Sequence, residues 1–141
     1  MPSFNKFNGF VQNVANAGLN LGSDALKFML TNTVPVATNN VYTDVSGAEV
    51  ANGNGYTTGG LAITTTSSTQ TSGTYKLLLA ASSTVLTASG AVGPFRYAIL
   101  YDTAGSKYLI GWFDNGYSIT MASGDTFAVT TDQANGILQL T

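Results

Sequence analysis

The chain contains no cysteine and no histidine, and only three prolines in 141 residues. Without cysteine there can be no disulfide, thiolate metal site or cysteine nucleophile. Without histidine the Ser-His-Asp triad, the Cys-His pair and most zinc sites are excluded as well. The five basic residues, Lys6, Lys27, Lys76, Arg96 and Lys107, stand singly. Binding nucleic acid needs clustered cations to displace counterions from phosphates, so that function is disfavoured. No run approaches the roughly 18 apolar residues needed to cross a bilayer. The opening "MPSFNKFNGF" has no apolar core of the kind a secretory signal carries. Neither a membrane nor a nucleic-acid partner is therefore expected.

Charge of either sign is scarce. Only 9% of residues are Asp, Glu, Lys or Arg, against about 25% in ordinary soluble domains. Polarity comes instead from Thr, Ser and Asn, with 16 glycines. Disorder is not the consequence, because 44% of the chain is hydrophobic and 11% aromatic, the reverse of the disordered signature. Weak repulsion between copies favours association. The length suits one domain with one core and a folded surface of roughly 6,900 Å².

Turn signals recur at short spacing. Asn-Gly occurs at 8–9, 52–53, 54–55, 115–116 and 135–136, and Ser-Gly at 46–47, 72–73, 89–90 and 123–124. Glycine accepts positive φ and asparagine tolerates it, so these pairs fit tight turns. Between them lie short β-branched and aromatic runs: 24–32, 60–66, 74–80, 95–102, 107–113, 117–121, 125–131 and 136–141, with 83–88 a shorter candidate. Leu26, Phe28 and Leu30 alternate with Lys27, Met29 and Thr31, marking a core face. The run 95–101 is apolar on both faces apart from Arg96, so it is central or faces a partner. The expected fold is all-β, a jelly-roll-like two-sheet sandwich of about eight or nine short antiparallel strands. Residues 23–141 form that domain, and 1–22 an N-terminal arm of helix or edge strand. The polar stretch 64–73 is a strand ending in a hairpin tip, or a mobile loop.

Residues 51–60, "ANGNGYTTGG", invite comparison with a phosphate loop. Such a loop places Lys and Ser/Thr after its last glycine and opens a helix. Here Gly60 is followed by Leu61-Ala62-Ile63, and Thr58 stands where a dinucleotide fingerprint needs glycine. The stretch is read as a turn. Two carboxylates about 5–9.5 Å apart suffice for a glycoside hydrolase. Asp102 and Asp114, which end neighbouring runs, are the pair that could meet at one rim. Asp44 with Asn52 and Asn54 could hold calcium only by accident of folding, because no D-x-[DN]-x-[DN]-G loop is present. Solvated turn residues are the plainer reading of all these acids. No catalytic residue, metal site or cofactor is assigned.

Tyr97, Tyr101, Tyr108, Trp112, Phe113 and Tyr117 crowd two adjacent runs. Half or more should be core, yet alternation forces some to the opposite face, where exposed aromatics mark a protein interface or a sugar platform. Phe4, Phe7 and Phe10, set between polar residues, either anchor the arm on a neighbouring molecule or close the protein's own core. The candidate interface set is Phe4, Phe7, Phe10, Arg96, Tyr101, Tyr108 and Trp112.

The segments "SDALKFMLTNTVPV" (23–36), "GNGYTTGG" (53–60), "GPFRYAILYD" (93–102), "LIGWFDNG" (109–116) and "GDTFAVTTDQANGILQLT" (124–141) follow in this order. Together they resemble the small all-β head decoration, or cement, proteins of tailed bacteriophages. The resemblance covers most of residues 23–141. It implies a structural virion protein, made in the host cytoplasm and placed on the outer surface of the head. Its partners would be the major capsid protein and copies of itself, dimers first and trimers second. It brings no catalytic residues. A tail- or head-fibre module recognising host glycan is the alternative.

Overall fold

The computed structural model describes residues 3–141. Ten antiparallel strands, one short α-helix and two 3₁₀ turns make up its regular structure, the strands and helix being β1 (Phe4–Lys6), α1 (Gly9–Ala15), β2 (Leu26–Thr31), β3 (Leu61–Ile63), β4 (Thr65–Thr71), β5 (Thr74–Leu79), β6 (Leu86–Thr87), β7 (Val92–Asp102), β8 (Leu109–Met121), β9 (Thr126–Phe127) and β10 (Leu138–Leu140). With 45% strand and 9% helix, the chain is the all-β antiparallel sandwich that its alternation implies. Its accessible surface, 6806 Å², lies close to the value of about 6,900 Å² expected for one compact body of this mass.

The strand order, which alternation cannot fix, is β1-β8-β7-β2-β3 in a five-stranded sheet and β10-β5-β4 in a second sheet, with a β6-β9 ribbon besides. Phe28, Leu30, Leu100 and Ile110 of the first sheet meet Leu77, Leu79 and Leu138 of the second. All of these but Leu138 are fully buried, and each such side chain contributes about 1.5–3 kcal/mol through removal from water. A second apolar cluster covers the other face of the five-stranded sheet: Phe7, Met29, Val45, Ile99, Tyr101 and Leu109. The segment after β2, with two 3₁₀ turns at Tyr42–Asp44 and Ser46–Ala48, supplies much of this cover. That explains why β7 is apolar on both faces. It is the middle strand, and the chain itself covers both of its sides.

The N-terminal segment is not an arm standing off the body. β1 pairs with β8, Phe4 opposite Phe113 and Lys6 opposite Gly111. Phe7 and Phe10 are fully buried, and Leu19 and Leu21 join the main core. Of the two readings of the three phenylalanines, the chain's own core holds. Helix and edge strand, left open for 1–22, both occur: an edge strand and a two-turn helix follow one another there.

Two further expectations change. Asn115-Gly116 is not a hairpin turn: β8 runs unbroken through it for 13 residues, Gly116 taking φ +89°. Ladder irregularities between β7 and β8 absorb the distortion, as bulges do. The stretch 64–73 is no loose loop but β4, closed onto β5 by a turn at Ser72-Gly73.

Candidate functional site

The glycine-rich stretch 51–60 folds as a tight turn, with Gly53 and Tyr56 exchanging backbone hydrogen bonds at 2.8 and 3.0 Å. Gly60 must be glycine. Its φ is +98°, and a Cβ there would fall on the backbone of Phe28. The loop does gather donors around an anion, but the anion belongs to the protein. The Glu49 carboxylate accepts from the Gly59 N–H (2.7 Å), from the Tyr56 hydroxyl (2.7 Å) and from the Tyr42 hydroxyl. The Tyr56 hydroxyl in turn accepts from the Leu30 N–H at 3.1 Å. The Tyr101 hydroxyl donates to the Gly59 carbonyl at 2.6 Å, and its ring stacks on Tyr42 with centroids 4.7 Å apart. Burial, and then the adjacent carboxylate, raise the Tyr42 and Tyr56 phenols far above their ordinary range. Burial pushes Tyr101 up to about 12. These hydroxyls stay protonated donors at any physiological pH, so the cluster is a fixed pin that holds the 42–60 segment on the sheet.

The expected interface residues do not form one surface. Phe7, Phe10 and Tyr101 are buried. Phe4 is half-buried, edge-on to Phe113 at 5.1 Å. Trp112 is half-buried, its ring 4.6 Å from that of Phe7. Tyr108 is half-buried and packs against Gly18. Arg96 is half-exposed in a bidentate pair with Asp114, at 2.7 and 3.0 Å. That pair, then the Gly116 N–H, hold the Asp114 carboxyl below its ordinary value. Phe7, Phe10 and Tyr101 are thus corrected from interface to core, because each packs into an apolar cluster that the chain itself covers.

The structure keeps the two proposed catalytic carboxylates apart. Asp114 lies opposite Tyr97, five positions along β7 from Asp102. At about 3.3 Å per residue this is roughly 16 Å, too far for a paired mechanism. Asp102 is buried instead, accepting from the Ala104 N–H at 2.8 Å. Burial first, and then a hydrogen bond shared with Asp24, push its carboxyl up to about 6. The proposed calcium ligands also have other partners. Asp44 accepts from the Asn40 and Val41 N–H groups, Asn52 from Thr58 N–H, and Asn54 donates to the Ala91 carbonyl. Among the described residues no group of three acidic side chains is placed to hold a metal.

What the surface does present was only partly visible in the chain. Val34 and Val36 stand 60% and 55% exposed at the rim of a groove of about 380 Å³, with Ile99 and Val45 among its lining residues. Tyr117 is 66% exposed on the outer half of β8. The neighbouring Ser118 hydroxyl donates to the Asn32 side chain at 2.6 Å, tying that half of β8 to the loop leading to Val34. Valines in a Pro-containing loop carry no periodicity, which is why these two were missed. No protein-family profile, curated protein or solved structure matches this chain.

Proposed function

We propose that this chain is a structural virion protein that decorates and cements a tailed-phage head by bridging neighbouring major capsid subunits. The observation that carries the reading is the ordered set of five segments from Ser23 to Thr141, borne on a weakly charged antiparallel sandwich. The physical means is repeated burial of surface. An interface of about 1,200–2,000 Å² is enough for a stable contact, and repetition over a closed shell adds avidity. Few ions need to be stripped of water when such faces meet. The face offered to a capsid subunit is the Val34–Val36 rim, where two exposed valines flank a groove.

Quantitative mass spectrometry and cryo-electron microscopy of purified heads test this reading. The expected result is a copy number set by the shell's symmetry sites, and heads that rupture more readily without the protein. A Val34→Asp, Val36→Asp double variant should lower head occupancy at least about tenfold, as loss of an interface anchor does. A few copies confined to the tail would end the proposal. A glycan-binding module is the second reading, favoured by the exposed ring of Tyr117. It requires saturable retention on cell-surface polysaccharide that is lost in Tyr117→Ala.

A further inference from the structure

Sheet edges are where a β protein is open to other chains, because an edge strand leaves half of its backbone donors and acceptors unused. The edges of this molecule differ. β1 and β3 are three-residue strands. The Thr84 N–H bonds the Ala62 carbonyl of β3. β10 is likewise three residues long. β4 has seven residues, TTSSTQT, and pairs on one side only, with β5.

The turn geometry tells which groups face outward. Ser72 and Gly73 both have positive φ, +52° and +82°, the mark of a two-residue type I′ hairpin. Thr71 and Thr74, which flank it, exchange the first pair of ladder bonds. Thr69 opposite Lys76 forms the next such pair, so Ser68 and Gln70 direct their N–H and C=O groups away from β5. The one usual protection present is a ladder irregularity at its start, between Thr65 and Ser67, which leaves the stretch from Ser67 to Thr71 regular. β4 carries no lysine, no proline and no inward charge, although these are the common ways of blunting an edge. No charged residue occurs anywhere between Glu49 and Lys76.

We propose that β4 is a self-recognition edge, at which a second copy of this chain adds its own β4 antiparallel across a two-fold axis. An exposed row of peptide groups asks for another extended strand. An antiparallel pair of identical strands is two-fold symmetric by construction, as an isologous contact must be. Ser68 is the central residue of β4. Centred there, the pairing sets Ser68 against its own counterpart, Thr66 against Gln70 and Ser67 against Thr69, a row of hydroxyl and amide side chains that pair across strands. Charge permits it. The nearest cation, Lys76, lies on β5, so the two copies of Lys76 are three strand spacings, about 14 Å, apart. That exceeds the screening length of about 8 Å at physiological salt. The three-stranded sheets of the two copies then form one sheet of six. A contact confined to seven residues a side falls in the weak class below about 1,200 Å², so a Kd on the order of 100 μM is expected.

The pairing does not rest on the virion reading. The experiment is sedimentation velocity of the full chain from about 10 μM to 1 mM, a range that brackets that Kd, combined with residue-resolved hydrogen exchange. Self-pairing gives a monomer–dimer equilibrium in which the Ser68 and Gln70 amides become protected as concentration rises. Ser68→Pro removes an outward N–H and leaves the β4–β5 ladder intact, as proline at an edge can. It should weaken the dimer at least about tenfold while the melting temperature stays within a few degrees. If circular dichroism shows that this variant is misfolded, Gln70→Lys, which sets a lysine against each copy's edge, serves instead with the same expected loss. A monomer at every concentration, or a dimer indifferent to both substitutions, overturns the proposal. So does protection of Ser68 and Gln70 that appears only on adding phage heads, which would assign the edge to a capsid strand. A monomeric chain found in full number on heads would defeat the pairing and leave the decoration role standing.

Discussion

The pairs β7–β8 and β4–β5 have the same local plan, two antiparallel strands, and opposite physical characters. In β7, seven of the last eight residues from Phe95 to Asp102 are buried, and apolar clusters lie on both faces. In β4 no residue is fully buried, and its only strand neighbour is β5. Turn chemistry makes both pairs. Coverage decides that the first is buried on both sides while the second keeps one edge open.

The strongest way to test that division is to open a cavity against the first pair, from the neighbouring strand β2. Phe28 is fully buried beside β7, so Phe28→Ala should cost about 3–5 kcal/mol. Urea denaturation should show the loss as a lower midpoint with an unchanged slope. A loss below about 1 kcal/mol would mean that the five-stranded sheet is not the stabilising half.

The next effect is on pH dependence. The Asp102 carboxyl, raised to about 6 by burial and then by Asp24, binds its proton more tightly in the folded chain than in the unfolded one. Its contribution to stability is therefore full below about pH 4 and is lost as pH rises through about 6, on the order of 2–3 kcal/mol across that window. Asp44, Asp114 and Asp132 act in the opposite sense. Backbone N–H groups lower the first and the third, and Arg96 lowers the second. Their contributions are present above about pH 4 and are lost as pH falls through their depressed values. Stability should pass through a maximum near pH 4–5, and Asp102→Asn should remove the decline on its neutral side. Denaturant midpoints between pH 3 and 8 measure both.

Glu49→Gln keeps the shape of the pin but removes its charge. Loss of the charge-assisted character of three hydrogen bonds should cost about 1.5–3 kcal/mol, and faster exchange of the Gly59 amide should accompany it. The smallest effect belongs to the second pair. Thr71→Ser on exposed β4 should alter stability by less than about 0.5 kcal/mol. A larger change would show that β4 contributes more to the fold than its exposure suggests.

The difference between the two regions also explains what could be read in the residues beforehand. Most of β2 and β7 was legible, as the runs 24–32 and 95–102, because burial there imposes strong patterns, alternating or continuous. The break expected at Asn115-Gly116 failed because positive φ serves a bulge as well as a turn, and the long β7 partner keeps the strand going. The run 125–131 was expected as one strand but forms a ladder only at Thr126–Phe127, with an isolated bridge from Thr130 to Ser82. Beyond it, Val129 joins the Ser83 loop through backbone and hydroxyl bonds. The Glu49 pin left no periodic trace, since its donors come from loop positions at irregular distance. The exposed edge of β4 was on view only as low complexity, and its partnering is a property of the sheet order, which alternation does not encode.

One pairing described above governs the order of events in synthesis. Phe4 lies opposite Phe113, so β1 must wait for β8, made about a hundred residues later, before its ladder can close. Contacts so distant along the chain slow folding, and the early segment, with its phenylalanines uncovered, depends on chaperones or speed until β8 arrives.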